Sequence, residues 1–267
     1  MSAGSAPRSA RSLPRSARTD EQARRSASLP SSPTSRRAGA RTVAVWDALD
    51  PVLASGPLDV LDIGGGTGTS AVRIAGLGHR VTVVDPSPDA LAALDRRARE
   101  AGVSVDARQG DLAALSDVAD PSGADVVLCH GVLEVVPDPA AALAGIREVL
   151  RPGGTLSLLV AQRTAAVLSR ALAGHFAQAA ELLDDTAPQG RSGRRFALDE
   201  VTGLLEAAGF AVSDVRGVRV FVDHVPGSLL DVDPGATSAL VELEQRASTR
   251  ADYLPLASQV HLLASLR

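Results

Sequence analysis

Short apolar runs and amphipathic stretches take turns along most of this chain. The first regular stretch, RTVAVWDALDPVL (Arg41 to Leu53), puts Val45, Leu49, Val52 and Leu53 at helical spacing. LDVLDI, ending at Ile63, is a short apolar run that predicts a buried strand, and TSAVRIAGLG predicts a helix closing at Gly76 or Gly78. RVTVVD (Arg80 to Asp85) is a second strand. In PSPDALAALDRRAREAG, Ser87 suits a helix cap, Pro88 the first helical position and Gly102 the end. VSVDARQGD and ADVVLCH (Ala124 to His130) follow as third and fourth strands. A helix capped by Asp138, with Pro139 at its start and a Pro-Gly-Gly turn behind it, leads into TLSLLVA (Thr155 to Ala161), the fifth strand.

Strands and helices in strict alternation predict an α/β fold: a parallel sheet covered by helices on both faces, joined by right-handed crossovers. After residue 162 the rhythm loosens. Residues 163–196 read as a helix-prone, lid-like insertion. LDEVTGLLEAAGF (Leu198 to Phe210) predicts a helix with Asp199 near its start, VSDVRGVRVFVDHV a sixth strand, GATSALVELEQRAS a helix and SQVHLLASL a terminal strand. The chain therefore divides into an arm, 1–37, and one domain, 38–267. Within the domain, 58–161 is the ligand-binding core and 197–267 the substrate side.

Composition changes this picture at the N-terminus. No lysine occurs, so all 27 basic residues are arginine. Nine of them lie in residues 1–41 against Asp20 and Glu21, while the remainder carries 18 arginines against 29 acids. A basic arm thus precedes an acidic body. The arm is rich in Ser, Ala, Arg and Pro, and its few large apolar residues are isolated. It cannot bury enough apolar surface to offset its ordering entropy and is expected to be disordered. A solvated tail, a nucleic-acid-contacting arm and, last, an organellar transit peptide are its three readings. The single cysteine, Cys129, leaves no partner for an intramolecular disulfide and points to a reducing cytoplasm. No apolar run approaches the roughly 18 residues a membrane span needs, and no Cys/His spacing suggests a metal site.

The richest chemistry lies in VLDIGGGTG, Val60 to Gly68. Four glycines, Gly64, Gly65, Gly66 and Gly68, follow a strand and open a helix. Glycine is entropically costly there, so side chains must be unwelcome. In an open parallel sheet the carboxyl end of such a strand, facing a helix N-terminus, is where a nucleotide-like ligand sits. Asp85, closing the second strand, is placed to accept hydrogen bonds from ribose hydroxyls. Asp111, in RQGDL after the third strand, either faces an adenine amino group or caps the next element. Two cofactors fit these anchors. A dinucleotide fingerprint G-x-G-x-x-G fails at Thr69, and Asp62 beside the turn would oppose a pyrophosphate. The sulfonium and amino groups of S-adenosylmethionine would instead be attracted to that acid.

LDIGGGTG, VTVVDPSPDAL, GDLAAL, ADVVLCHGVLEVVPDPAAAL and VLRPGGTLSLLV, in this order over residues 58–160, resemble the motifs of the class I S-adenosylmethionine-dependent methyltransferases. The resemblance implies a Rossmann-like, seven-stranded sheet, mostly parallel, with the last strand antiparallel. It also implies that Gly64, Gly65 and Gly66 abut the methionine part of the cofactor, that Asp85 with Pro86 holds the ribose, and that Gly110 and Asp111 border the adenine. HGVLEVVPDP, LEAAGF, GVRVFVDHV and ALVELEQRAS extend the likeness to the subfamily that methylates the carboxyl of 5-carboxymethoxyuridine at the tRNA wobble position. That likeness implies that Arg41 contacts the methionine carboxylate and that His130 lines the cofactor pocket. The insertion differs, being shorter and carrying Arg191, Arg194 and Arg195 where the subfamily has lysines.

Methyl transfer needs a positioned nucleophile more than it needs acid–base chemistry, and an ionised carboxylate needs no base. His130, ending the fourth strand, is expected to stack on the cofactor or to act as a base. Arg219 is expected on the sixth strand, binding an acceptor carboxylate or phosphate. Glu134, Asp223, His224 and Trp46 are weaker candidates with structural alternatives. The acceptor is a modified wobble uridine in tRNA or else a small molecule taking the methyl on oxygen or nitrogen. An NAD-dependent oxidoreductase and a non-catalytic nucleic-acid-binding protein remain as other classes. The sequence leaves the oligomeric state open.

Overall fold

The computed structural model describes residue 1 and residues 33–184, 193–232 and 235–267, with side chains left out at 33–41, 184, 231 and 232. Most of the arm and Arg191 lie outside the described residues. The first helix, α1, spans Pro33–Leu53 and reaches back beyond the expected Arg41 start into the segment assigned to the arm. Its expected apolar stripe is buried at Val45, Leu49 and Leu53.

The elements then alternate as the pattern predicts: β1 (Asp59–Ile63), α2 (Thr69–Gly76), β2 (Arg80–Asp85), α3 (Pro88–Ala101), β3 (Asp106–Gln109), β4 (Ala124–His130), α4 (Pro139–Val149) and β5 (Leu150–Ala161). Caps fall where expected. Ser87 Oγ accepts from the Ala90 amide at 3.2 Å, and Asp138 Oδ1 from Ala140 and Ala141. The insertion folds into α5 (Arg163–Leu172) and α6 (Phe176–Asp184). Then come α7 (Leu198–Ala207), β6 (Phe210–Val218), α8 (Gly227–Val232), α9 (Ala236–Ser248) and β7 (Gln259–Leu266).

The seven strands run in the order β3-β2-β1-β4-β5-β7-β6, and β7 is antiparallel to both neighbours. One face is covered by α1, α2 and α3, through residues such as Leu49, Ile74 and Leu94. The other is covered by α4 and α7, through Leu143, Ile146, Val201 and Leu205. Chain order reverses between β1 and β4, which opens a crevice at the carboxyl edge.

Three expectations are corrected. The Pro-Gly-Gly segment is not a turn ahead of β5 but a bulge within it, where Ala124 pairs with Leu150 and Val126 with Thr155. Only Asp106–Gln109, the middle of VSVDARQGD, forms a strand. The sixth strand ends at Val218, so Arg219 lies just beyond it in a left-handed conformation, φ 63°.

Candidate functional site

The glycine turn connects the end of β1 to α2, and the chain itself explains most of its glycines. A Cβ on Gly64 would overlap Val132, one on Gly65 would lie 2.7 Å from Asp62 Oδ2, and one on Gly68 would overlap Leu94 Cδ1. The space the sequence reserved for a ligand is thus filled at three positions by the protein's own side chains. Gly66 is the exception. Its φ is 55°, and the nearest heavy atom to an added Cβ is the Gly64 carbonyl oxygen at 3.9 Å. The turn opens outward there. Arg97 of α3 donates to the hydroxyls of Thr67 and Thr69 and braces the turn from the side.

Two carboxylates sit beneath it. Asp85 is buried; its Oδ2 accepts from the Gly66 amide at 2.9 Å and its Oδ1 from the Ser87 amide at 2.9 Å. The acid expected to meet a ribose therefore also ties the glycine turn to the β2–α3 turn. Asp62 is buried as well, and its Oδ2 has no hydrogen-bond partner among the described residues. Burial first, and the nearby Asp85 charge second, push its carboxyl up to about 7. An unpaired buried acid under a glycine turn suits a cationic ligand group, whose arrival would favour ionisation.

The remaining predicted cofactor residues line the same edge on β2 and β3. Pro86 is exposed, and the Gly110 amide donates to the Asp85 carbonyl at 3.3 Å. Asp111 resolves toward the capping alternative: its Oδ1 accepts from the amides of Ala113 and Ala114 and starts the 3₁₀ turn Leu112–Asp117. Its side chain stays exposed at the crevice rim. Arg41 lies within α1 rather than ahead of it, and its side chain is outside the described residues.

His130 ends β4, next to β1 across the crevice. Its Nε2 is 2.8 Å from Ser157 Oγ, and burial pushes the imidazole down to about 4. A ring that hard to protonate is a poor proton acceptor at neutral pH, which counts against the base role expected for it. Glu134 is buried too. Its Oε1 accepts from the Ala161 amide at 2.8 Å and its carbonyl from the Arg194 amide at 2.7 Å. It pins the loop after β4 to the end of β5 and to the insertion, a structural task.

Arg219 stands apart, beyond β5 and β7 on the same edge. It pairs with Asp223 at 2.6 Å, and its turn is held from below by Glu244 of α9. That buried carboxylate accepts from the Val220, Phe221 and Val222 amides at 2.7–2.8 Å. Gripping three successive amides forces the left-handed residue before them, a conformation that costs about 1–2 kcal/mol outside glycine. Arg219, Arg170 and Arg195 line a cleft of about 300 Å³ with Ala161, Gln162 and Gln259, and among the described residues no acid lines it. Trp46 takes the packing alternative, with the Arg73 guanidinium 3.7 Å above its ring. Ser157, Glu244, Arg97 and His261 were missed from sequence. The signal available for Ser157 and His261 was a polar residue interrupting an apolar strand, in LSLLV and VHLLA.

A family model described as a methyltransferase domain matches residues 60–154. The tRNA 5-carboxymethoxyuridine methyltransferase of Escherichia coli K12 is 34% identical over 235 residues, 84% of this chain and 87% of that protein. This chain belongs to the class I S-adenosylmethionine-dependent methyltransferases. A ubiquinone biosynthesis O-methyltransferase of Xanthomonas euvesicatoria is 33% identical, over 60% of this methyltransferase and 65% of its own length. Among solved structures, a SAM-dependent methyltransferase of Methanosarcina mazei superposes with a TM-score of 0.56 at 20% identity, covering 82% of this chain and 96% of that one. The [4+2]-cyclase SpnF superposes at 0.55 and 22%, covering 82% and 80%. A cyclase on this fold shows why the fold alone does not choose the reaction. The oxidoreductase and non-catalytic alternatives fall with the family assignment, and S-adenosylmethionine is the methyltransferase's cofactor. Among the described residues no cluster of metal-ligating side chains occurs, and no helix is long and apolar enough to cross a membrane.

Proposed function

We propose that this methyltransferase esterifies the carboxylate of 5-carboxymethoxyuridine at the wobble position of tRNA. The observation that carries the reading is the reach of the likeness. The match to the tRNA enzyme runs over 84% of the chain, well outside the cofactor core, whereas the match to the ubiquinone enzyme stops at 60%. The arginine-lined cleft beside Arg219 supports it, because guanidinium groups suit carboxylate and phosphate alike. The nine arginines of residues 1–41 add a polycation to an acidic body, as a polyanionic acceptor requires.

Under this reading S-adenosylmethionine supplies a methyl group on a cationic sulfur together with its leaving group. Asp62 and the backbone at Gly64, Gly65 and Gly66 would hold the methionine end, with Arg41 on its carboxylate, while Gly68 would keep the cofactor-binding turn in shape by packing against Leu94. Asp85 and Pro86 would hold the ribose, and Gly110 and Asp111 would flank the adenine. His130 lines the pocket at the end of β4. Arg219 draws in the acceptor anion from the neighbouring cleft. The acceptor carboxylate is already ionised at neutral pH, so positioning does the work and no side chain has to remove a proton.

The test is mass spectrometry of tRNA nucleosides from cells with and without the gene. Loss of the methyl ester and accumulation of the free 5-carboxymethoxyuridine is the expected result. Unchanged nucleosides overturn the tRNA assignment and point to a small-molecule acceptor. Steady-state kinetics then check the division of labour: Arg219→Ala should raise KM for the acceptor and leave KM for S-adenosylmethionine nearly unchanged. Equal weakening of both would put Arg219 at the cofactor or in the fold.

A further inference from the structure

We infer that Ser157 and His261 are positioning residues that hold His130 as its Nδ1–H tautomer, making its open edge a hydrogen-bond donor. His130, Leu159 and His261 sit side by side in register across β4, β5 and β7. Their side chains leave the same face of the sheet, and so does that of Ser157, two residues before Leu159. Ser157 Oγ lies 2.8 Å from His130 Nε2 and 2.7 Å from His261 Nε2, and the two rings meet edge to face with centroids 5.7 Å apart. Ser157 and His261 are fully buried.

A hydroxyl has one hydrogen to give, so at most one of the two Nε2 atoms receives it, and the other must donate its own proton to Ser157. The choice is made at the far side of His261. Its Nδ1 is buried with no hydrogen-bond partner among the described residues. A buried N–H without an acceptor is the rarer and costlier defect; a bare ring nitrogen leaves only a lone pair unmet. The His261 proton therefore sits on Nε2 and points at Ser157. The Ser157 hydrogen then points at His130 Nε2, and the His130 proton is left on Nδ1.

A charged ring on either histidine breaks this order. An imidazolium at His130 would turn both Nε2 atoms toward Ser157 as donors and strand the hydroxyl hydrogen. Burial opposes a charge on both rings, and His130 together with the Arg216 guanidinium opposes one on His261. The order runs His261 Nε2–H to Ser157, then Ser157 O–H to His130 Nε2. The inference deepens the proposed function, since a neutral donor at the end of β4 can orient an acceptor oxygen and an anionic acceptor needs no base.

The deciding measurement uses the cofactor-free protein with 15N-labelled histidine, so it does not depend on the acceptor. Long-range 1H–15N spectra, assigned by loss of the His130 signals in His130→Gln, should show a protonated Nδ1 and a bare Nε2. The reverse assignment overturns the inference. In Ser157→Ala the two His130 nitrogens should move toward averaged shifts. With an identified acceptor, kcat should fall about tenfold, the worth of one ordinary hydrogen bond, while KM for S-adenosylmethionine holds. His261→Gln keeps an amide N–H within reach of Ser157 and should keep the His130 tautomer. Unaltered His130 shifts in Ser157→Ala, or a scrambled tautomer in His261→Gln, also refute the relay. If the tRNA assignment fails while the wild-type shifts come out as stated, the relay stands and only the acceptor is wrong.

Discussion

Alanine at Gly66 and alanine at Gly68 should separate the ligand-facing part of the glycine turn from the part that packs the core. Both residues are left-handed, with φ 55° and 76°. An L-residue there costs about 1–2 kcal/mol, little offset by a stiffer unfolded chain. At Gly66, its chain neighbours aside, no described atom lies closer to the new methyl than a carbonyl oxygen at 3.9 Å, so that is the whole stability cost. At Gly68 the methyl overlaps Leu94 Cδ1, and Leu94 is 1% exposed, so it has no solvent to swing into. Overpacking a closed core adds about 1–3 kcal/mol, for a total of about 2–5 kcal/mol. For a body of this size 1 kcal/mol moves Tm by about 2–4 °C, so Gly68→Ala should melt several degrees below Gly66→Ala. Binding should reverse the order. Calorimetry with S-adenosylhomocysteine should show Gly66→Ala losing at least about tenfold in affinity, because its methyl enters the open space over the turn, while folded Gly68→Ala retains more of it. Equal melting temperatures would refute the packing argument. Wild-type affinity in Gly66→Ala would refute the claim that the cofactor lies over Gly66.

Asp62 should make cofactor-free stability fall with pH. Its folded carboxyl is raised from 3.8 to about 7, so the native state holds a proton the unfolded chain has released, and stability drops between about pH 4 and 7 and is flat above. Asp62→Asn should flatten that slope, raise Tm at pH 8 and weaken S-adenosylhomocysteine binding; an unchanged slope in urea titrations would contradict the burial argument. Glu244→Ala should strand three amides after Arg219 and cost about 3 kcal/mol or more, with Glu244→Gln less damaging because it keeps one acceptor oxygen. Melting of Glu244→Ala at the wild-type temperature would show that those amides find other partners.

How much of this was legible in the sequence depends on the range of the forces involved. The α/β alternation, the caps at Ser87 and Asp138 and the Rossmann-like core follow from local rules of spacing and turn chemistry, and they appear where the pattern put them. The glycine turn was legible as a turn, but its reason was not. Leu94, Val132 and Asp62 fill the space at three of its glycines, and only the packed fold brings them there. Boundaries set by tertiary contacts were misread for the same reason. Arg219 leaves its strand because Glu244, 25 residues downstream, grips the next three amides. The Pro-Gly-Gly turn becomes a bulge because β5 must keep pairing with β4. Asp62 and Asp85 are ordinary acids in the sequence; burial of Asp62 in the packed fold, and after it the nearby Asp85 charge, is what raises the Asp62 carboxyl. Ser157 and His261 stand 104 residues apart and acquire meaning only when β7 inserts antiparallel beside β5. Local propensity determined which elements form. Burial and long-range hydrogen bonding, which depend on where the whole chain excludes water, decided what their polar side chains can do.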